Sequence, residues 1–390
     1  MVDILGKDHG LARPKRLIGE CATGDRLAGS VERVEPLKSY SALRLRVMVR
    51  LARLKERVPV PHGIDLYRVS YWTEHRGTPE LASGLLALPR GASPRGTVTW
   101  LNGTNPTRAE APSSGGLLGV QIAAAFAGSG FVLLAPDYVG LGVSRTYHPY
   151  MYAPTTESAC IDFMTAAKAV IEALGYSSSP NMMLVGFSQG GFSTAVVHRA
   201  LEKSPRPGIE AIAAAGLASP LDLAGVSLPW GFNGESTAHS LYLAFVANAY
   251  SLIYGQRLDS VVTDDFAALI PELFDGEHTS DDIVKRLPRE PREMFRPGVE
   301  DAFLAGEPSW FLNAVKENEA VDWVPRAPLR LYYGEADVDV PPDDSLRAAQ
   351  RMRERGGNVE ALSLGPVDHA RVSFIGVPRV LKWFIELNPE

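Results

Sequence analysis

Short apolar runs bounded by glycine or proline occur at residues 64–72, 81–88, 97–101, 131–135, 182–187, 212–217, 329–333 and 359–364. Their length and β-branched or aromatic content are those of strands buried on both faces. From the third run onward, segments with apolar residues at helical spacing lie between them, at roughly 117–128, 156–174, 189–203, 343–355 and 372–387. Strand and helix alternate, which predicts an α/β fold: a mostly parallel eight-stranded sheet flanked by helices. The alternation breaks once. Residues 220–325 carry helical patterns without a convincing strand and hold thirteen aromatic rings. This stretch reads as a helical cap inserted after the sixth strand, with most rings forming its own core and the rest available to wall an apolar pocket.

The division that follows is an N-terminal extension (1–60), expected to be helical and to pack on the core, a core built from 61–219 and 326–390, and the cap (220–325). From residue 43 to 58, Leu43, Val47, Leu51, Leu54 and Val58 recur at helical spacing. Arg46, Arg50, Arg53 and Arg57 form a stripe beside them that should solvate the helix's outer face. The acidic stretch 264–282 is expected to be solvated cap surface.

Composition removes several classes of function. The 390 residues carry 39 Lys+Arg against 45 Asp+Glu, a formal charge of −6, so the basic footprint that nucleic acid requires is missing. With 45% apolar and 22% charged residues, the chain is neither disordered nor fibrous. Cys21 and Cys160 cannot form a disulfide framework or a paired metal-ligand spacing, and both are expected to be reduced. Asp3, Lys7 and Asp8 fall where a signal peptide needs an apolar core, and no run is long enough to span a bilayer. The expectation is a cytoplasmic protein with no transmembrane segment.

The strongest chemical signal is Gly186-Phe187-Ser188-Gln189-Gly190-Gly191, placed where an apolar strand meets a helix. A serine on so tight a turn has a strained backbone, and glycines two residues to either side let the neighbouring backbones approach. The helix that follows directs its N-terminal amides at charge developing beside the hydroxyl. A serine hydroxyl needs a base, and the base needs a carboxylate to fix its tautomer. In sheets of this kind those partners follow in the order serine, acid, histidine. His369, in Val367-Asp368-His369, is the one histidine beyond the candidate acid region, and His198 lies about 15 Å up the helix from Ser188. Asp337, just past the strand at 329–333, is the preferred acid, with Asp339 as the alternative; Asp343 and Asp344 read as helix-capping acids. Two backbone donors for an oxyanion would come from Gln189 and from Thr104, on the loop after the third strand. Asn102-Gly103-Thr104 also matches a glycosylation sequon, but beside the site it would be buried.

The order GFSQGG, GEADVDVP, VDH resembles the α/β-hydrolase superfamily. Within it, the 135–144 segment APDYVGLGVS with His148-Pro149-Tyr150, and Glu317-Asn318 with Asp322-Trp323, resemble bacterial esterases related to secretory lipases. The resemblance covers most of the chain after about residue 60. It implies an α/β-hydrolase fold with Ser188 as nucleophile, Asp337 as acid, His369 as base, and Gln189 and Thr104 as the oxyanion hole. Asn102-Gly103 stands where many relatives carry His-Gly. Asn102 and Tyr138 are candidates to line the substrate pocket. The expected activity is hydrolysis of a small-molecule carboxylic ester, apolar or aromatic, by a carboxylesterase or lipase-like enzyme with no metal or cofactor. The same three residues would also serve an acyltransferase or a peptidase, though no acidic pair is placed to hold a substrate amino group. A non-catalytic binding protein on this scaffold would be expected to lack one of the three.

Overall fold

The computed structural model describes residues 26–51, 58–233 and 236–388. Cys21 and residues 1–25, on which the cytoplasmic expectation rests, lie outside the described residues, as do Arg53, Leu54 and Arg57. The sheet has nine strands: β1 (Val31–Tyr40), β2 (Gly63–His75), β3 (Thr78–Arg90), β4 (Thr97–Leu101), β5 (Val132–Pro136), β6 (Asn181–Phe187), β7 (Glu210–Leu217), β8 (Leu329–Tyr333) and β9 (Val359–Ser363). Their order is β1-β2-β3-β5-β4-β6-β7-β8-β9. β1, β2 and β3 pair antiparallel, as do β3 and β5, and from β5 to β9 every pairing is parallel.

The ninth strand corrects the expectation of eight strands and of a wholly helical extension. β1 shows the solvent most of its side chains, with only Val34 and Tyr40 buried, so it lacks the apolar run that marks the interior strands. Pro36 lies within it, as an edge strand allows. The helix that follows, α1 (Ala42–Leu51), forms as expected but turns a different face inward. Leu43 and Val47 are 70% and 52% exposed, while Leu45 is fully buried.

The remaining helices are α2 (Leu117–Phe126), α3 (Ala153–Ala173), α4 (Gln189–Lys203), cap helices α5 (Leu228–Asn233), α6 (His239–Tyr254), α7 (Asp264–Leu273), α8 (Ser280–Arg286), α9 (Val299–Leu304) and α10 (Trp310–Glu317), then α11 (Pro342–Glu354) and α12 (His369–Leu387). Buried apolar side chains form two cores, one on each face of the sheet. One joins α3, α4, α11 and the cap. The other joins α1, α2 and α12. In the cap, Asp264 and Asp265 occupy the first turn of α7, while Thr279 and Asp282 make a capping box on α8. Several of the acids in this stretch thus complement helix N-termini.

β4 lies between β5 and β6, so the chain leaves β4 to one side and β5 crosses back to the other. Such a reversal opens a crevice at the carboxyl ends of the strands, and there open α/β sheets bind ligands. The ends of β4 and β6 meet at this crevice.

Candidate active site

β6 ends at Phe187 and α4 begins at Gln189, which leaves Ser188 alone in the turn with φ 56° and ψ −120°. A non-glycine residue at positive φ is strained. The turn is pinned by the Ser188 N–H, which donates to the Leu217 carbonyl of β7 at 2.8 Å. Glycine is required on both sides. A Cβ on Gly186 would stand 2.0 Å from the Gly190 carbonyl oxygen, and one on Gly190 would stand 1.8 Å from that of Leu101.

His369 is the first residue of α12, whose N-terminus is capped by the Asp368 side chain accepting the Arg371 N–H at 2.9 Å. That cap starts the helix three residues before its apolar periodicity. The His369 ring packs against Phe187, with centroids 4.7 Å apart. Its Nδ1 lies 2.7 Å from Asp337 Oδ2. Asp337 is buried, and its Oδ1 accepts the N–H groups of Asp339 and Val340, each at 2.9 Å. Because a carboxylate only accepts, the proton between them sits on Nδ1, which in the neutral ring leaves Nε2 with its lone pair. Asp339, the alternative acid, instead accepts the Ser236 hydroxyl. His198 lies elsewhere, buried with Nε2 3.1 Å from Glu202 and its ring edge-on to Trp323.

Ser188 and His369 share the wall of a cavity of about 350 Å³, to which Asn102, Gly103 and Thr104 contribute the loop after β4. Gln189 stands at the first position of α4, where an N–H has no acceptor within the helix. The Thr104 hydroxyl hydrogen-bonds the Tyr150 hydroxyl at 2.7 Å. Asn102 Oδ1 accepts from Trp100 Nε1 at 3.3 Å, and its carbonyl accepts from the Tyr138 hydroxyl at 3.0 Å. Tyr138 is not among the residues lining this cavity. It stands behind the loop, 2% exposed and stacked on His148, so it props Asn102 from below instead of meeting substrate there.

His148 is the residue whose part sequence reasoning missed. Its Nδ1–H donates to the Val139 carbonyl at 2.8 Å, so its Nε2 accepts from the Gln189 side chain at 2.9 Å. Burial pushes its pKa down to about 4, which keeps it neutral. Much of the rest of the cavity wall is apolar and includes Met48 and Val49 of α1, Leu118 and Ile122 of α2, and Phe374 and Val377 of α12. A partial signal was present: an α12 or α2 residue such as Phe374 or Leu118 is more apolar than a solvent-facing position needs, yet remains 51% or 42% exposed. Among the described residues no helix is long and apolar enough to cross a membrane.

A mixed sheet of this order, a serine on the turn after β6 and a helical cap after β7 define an α/β-hydrolase. The chain belongs to the secretory lipase family, whose profile matches residues 119–387. Among solved structures it is similar to a Legionella pneumophila protein provisionally described as a hydrolase (26% identity, 92% of this chain and 97% of that one, TM-score 0.85). It also resembles the rice cell wall degrading esterase LipA of Xanthomonas oryzae (24% identity, 93% and 100% covered, TM-score 0.85). Candida antarctica lipase A shares the fold at 15% identity, with 93% and 82% covered and a TM-score of 0.68. No curated protein sequence gives a significant match.

Proposed function

We propose that this lipase/esterase-family hydrolase is a serine carboxylesterase working through an acyl-enzyme. Ser188 Oγ attacks the ester carbonyl carbon and passes its proton to His369 Nε2, while Asp337 holds the imidazole in the tautomer that can accept it. The oxyanion is met by the N–H groups of Gln189 and Thr104, the former at the positive end of α4. His369 returns the proton to the leaving alcohol oxygen. Water, deprotonated by the same nitrogen, then releases the acid. The observation that carries this reading is the 2.7 Å contact of buried Asp337 with His369, whose ring lines the cavity that also holds Ser188 on its strained turn. A fluorophosphonate should label Ser188. Ser188→Ala should abolish labelling and lower turnover of a p-nitrophenyl ester by on the order of 10⁶. Labelling that persists in that variant, or near-wild-type turnover, would refute the proposal.

A further inference from the structure

Ser188 lies at the boundary of two cavities of very different size. One, of about 350 Å³, is the space between α1, α2 and α12 already described. The other, of about 60 Å³, lies under the cap against Leu228, Gly231, Leu243, Val246 and Val340. Tyr242 of α6 lines both and, with Ser188, marks the division between them. The large cavity is roughly six times the small one in volume.

The two cavities are chemically distinct because His369 lines the large one and is not among the residues lining the small one. On the proposed serine-esterase reading, the tetrahedral carbon bonded to Ser188 Oγ carries three further groups. Its oxyanion turns to the Gln189 and Thr104 amides. Its leaving oxygen must come within hydrogen-bond reach of His369 Nε2, the nitrogen that protonates it. The acyl carbon takes the remaining direction, away from His369. We infer that the alcohol part of the substrate occupies the large apolar cavity and the acyl part the small one, so the preferred substrates are short-acyl esters of bulky apolar alcohols. This inference rests on the serine-esterase reading and adds the substrate class to it. A triacylglycerol of long fatty acids would have to place a long acyl chain in the small cavity.

Constitutional isomers test the assignment at equal overall apolarity. Octyl acetate and methyl nonanoate have the same formula but place the long chain on opposite sides of the ester. One methylene in an apolar pocket changes selectivity by about tenfold or more. The wild-type enzyme should therefore hydrolyse octyl acetate with kcat/KM at least about tenfold above that for methyl nonanoate. Ile122→Trp, in the large cavity, should lower the rate ratio of octyl acetate to methyl acetate. Leu243→Ala, in the small one, should raise the ratio of p-nitrophenyl hexanoate to p-nitrophenyl acetate by about tenfold. Equal or greater activity on methyl nonanoate, with Ser188 still labelled by a fluorophosphonate, would overturn the substrate assignment and leave the serine mechanism standing. A labelled enzyme that cleaves neither isomer would overturn the assignment as well. Failure of both turnover and labelling would overturn the mechanism and the assignment together.

Discussion

A methyl group on Gly190 would stand 1.8 Å from the Leu101 carbonyl oxygen, an atom fixed in the central sheet that cannot move aside. Gly190→Ala should therefore destabilise the fold by roughly 3 kcal/mol or more, read as a fall in the urea midpoint, and should remove esterase activity even where the protein is recovered folded. Asp337 is the residue on which the tautomer of His369 depends. Asp337→Asn keeps the shape but can present an amide N–H to Nδ1, so kcat should fall by about 10⁴, whereas Asp339→Asn should cost far less. Steady-state kinetics of the two variants separates the candidates. At this scale much was legible in the sequence, because the sharp turn that strains Ser188 and sets Gly186 against the Gly190 carbonyl is written in consecutive residues. Tyr138 was not legible: its hydroxyl finds the Asn102 carbonyl 36 residues away, and nothing in its own neighbours announces that contact. Asp344 was misread for a similar reason. The first turn of a helix suggests a cap, yet its carboxylate is buried and reaches the segment at the start of the cap region.

Among the elements, α11 and the segment after β7 are joined through that carboxylate. Asp344 Oδ1 accepts the N–H groups of Leu221 and Asp222 at 2.8 and 2.9 Å, and Oδ2 accepts the Ser227 hydroxyl. Burial outweighs these donors and raises its pKa from 3.8 to about 6. The folded chain thus keeps a proton that the unfolded chain releases, so this contribution to stability is full below about pH 4. It is lost as pH rises to about 6, by on the order of 3 kcal/mol. His148 has the opposite sign. Its pKa falls from 6.5 to about 4, so its contribution is full above pH 6.5 and is lost on acidification. Between pH 4 and 6 the two offset each other. Asp344→Asn removes one of them, so urea titrations should show the variant gaining on wild type as pH rises from 4 to 7 and losing stability more steeply on acidification. The elements themselves were mostly legible, since the interior strands are buried on both faces and stand out as continuous apolar runs. β1 and the inward face of α1 were not, because an edge strand and a helix at the margin bury too few side chains for periodicity to decide.

For the molecule as a whole, the N-terminal extension completes the sheet and also walls the cavity. β1 covers the free edge of β2, and Leu45 of α1 belongs to the core shared by α2 and α12. Deleting residues 1–57 should expose that edge and open the cavity, lowering Tm and producing self-association visible by size-exclusion chromatography. The cap separates β7 from β8 by about 110 residues of chain, although the two strands are neighbours in the sheet. During translation, at about 5–20 residues per second, β7 therefore emerges with one side unpaired and waits on the order of ten seconds for the strand that will cover it. The Ala-rich edge of Glu210–Leu217 is then a site where a nascent chain can pair wrongly, and a chaperone that shields it has a defined interval in which to act. His369 follows later still, so on the proposed mechanism a ribosome-bound chain would carry the Ser188 turn without its base, and hydrolytic competence would arrive only when the last helix docks.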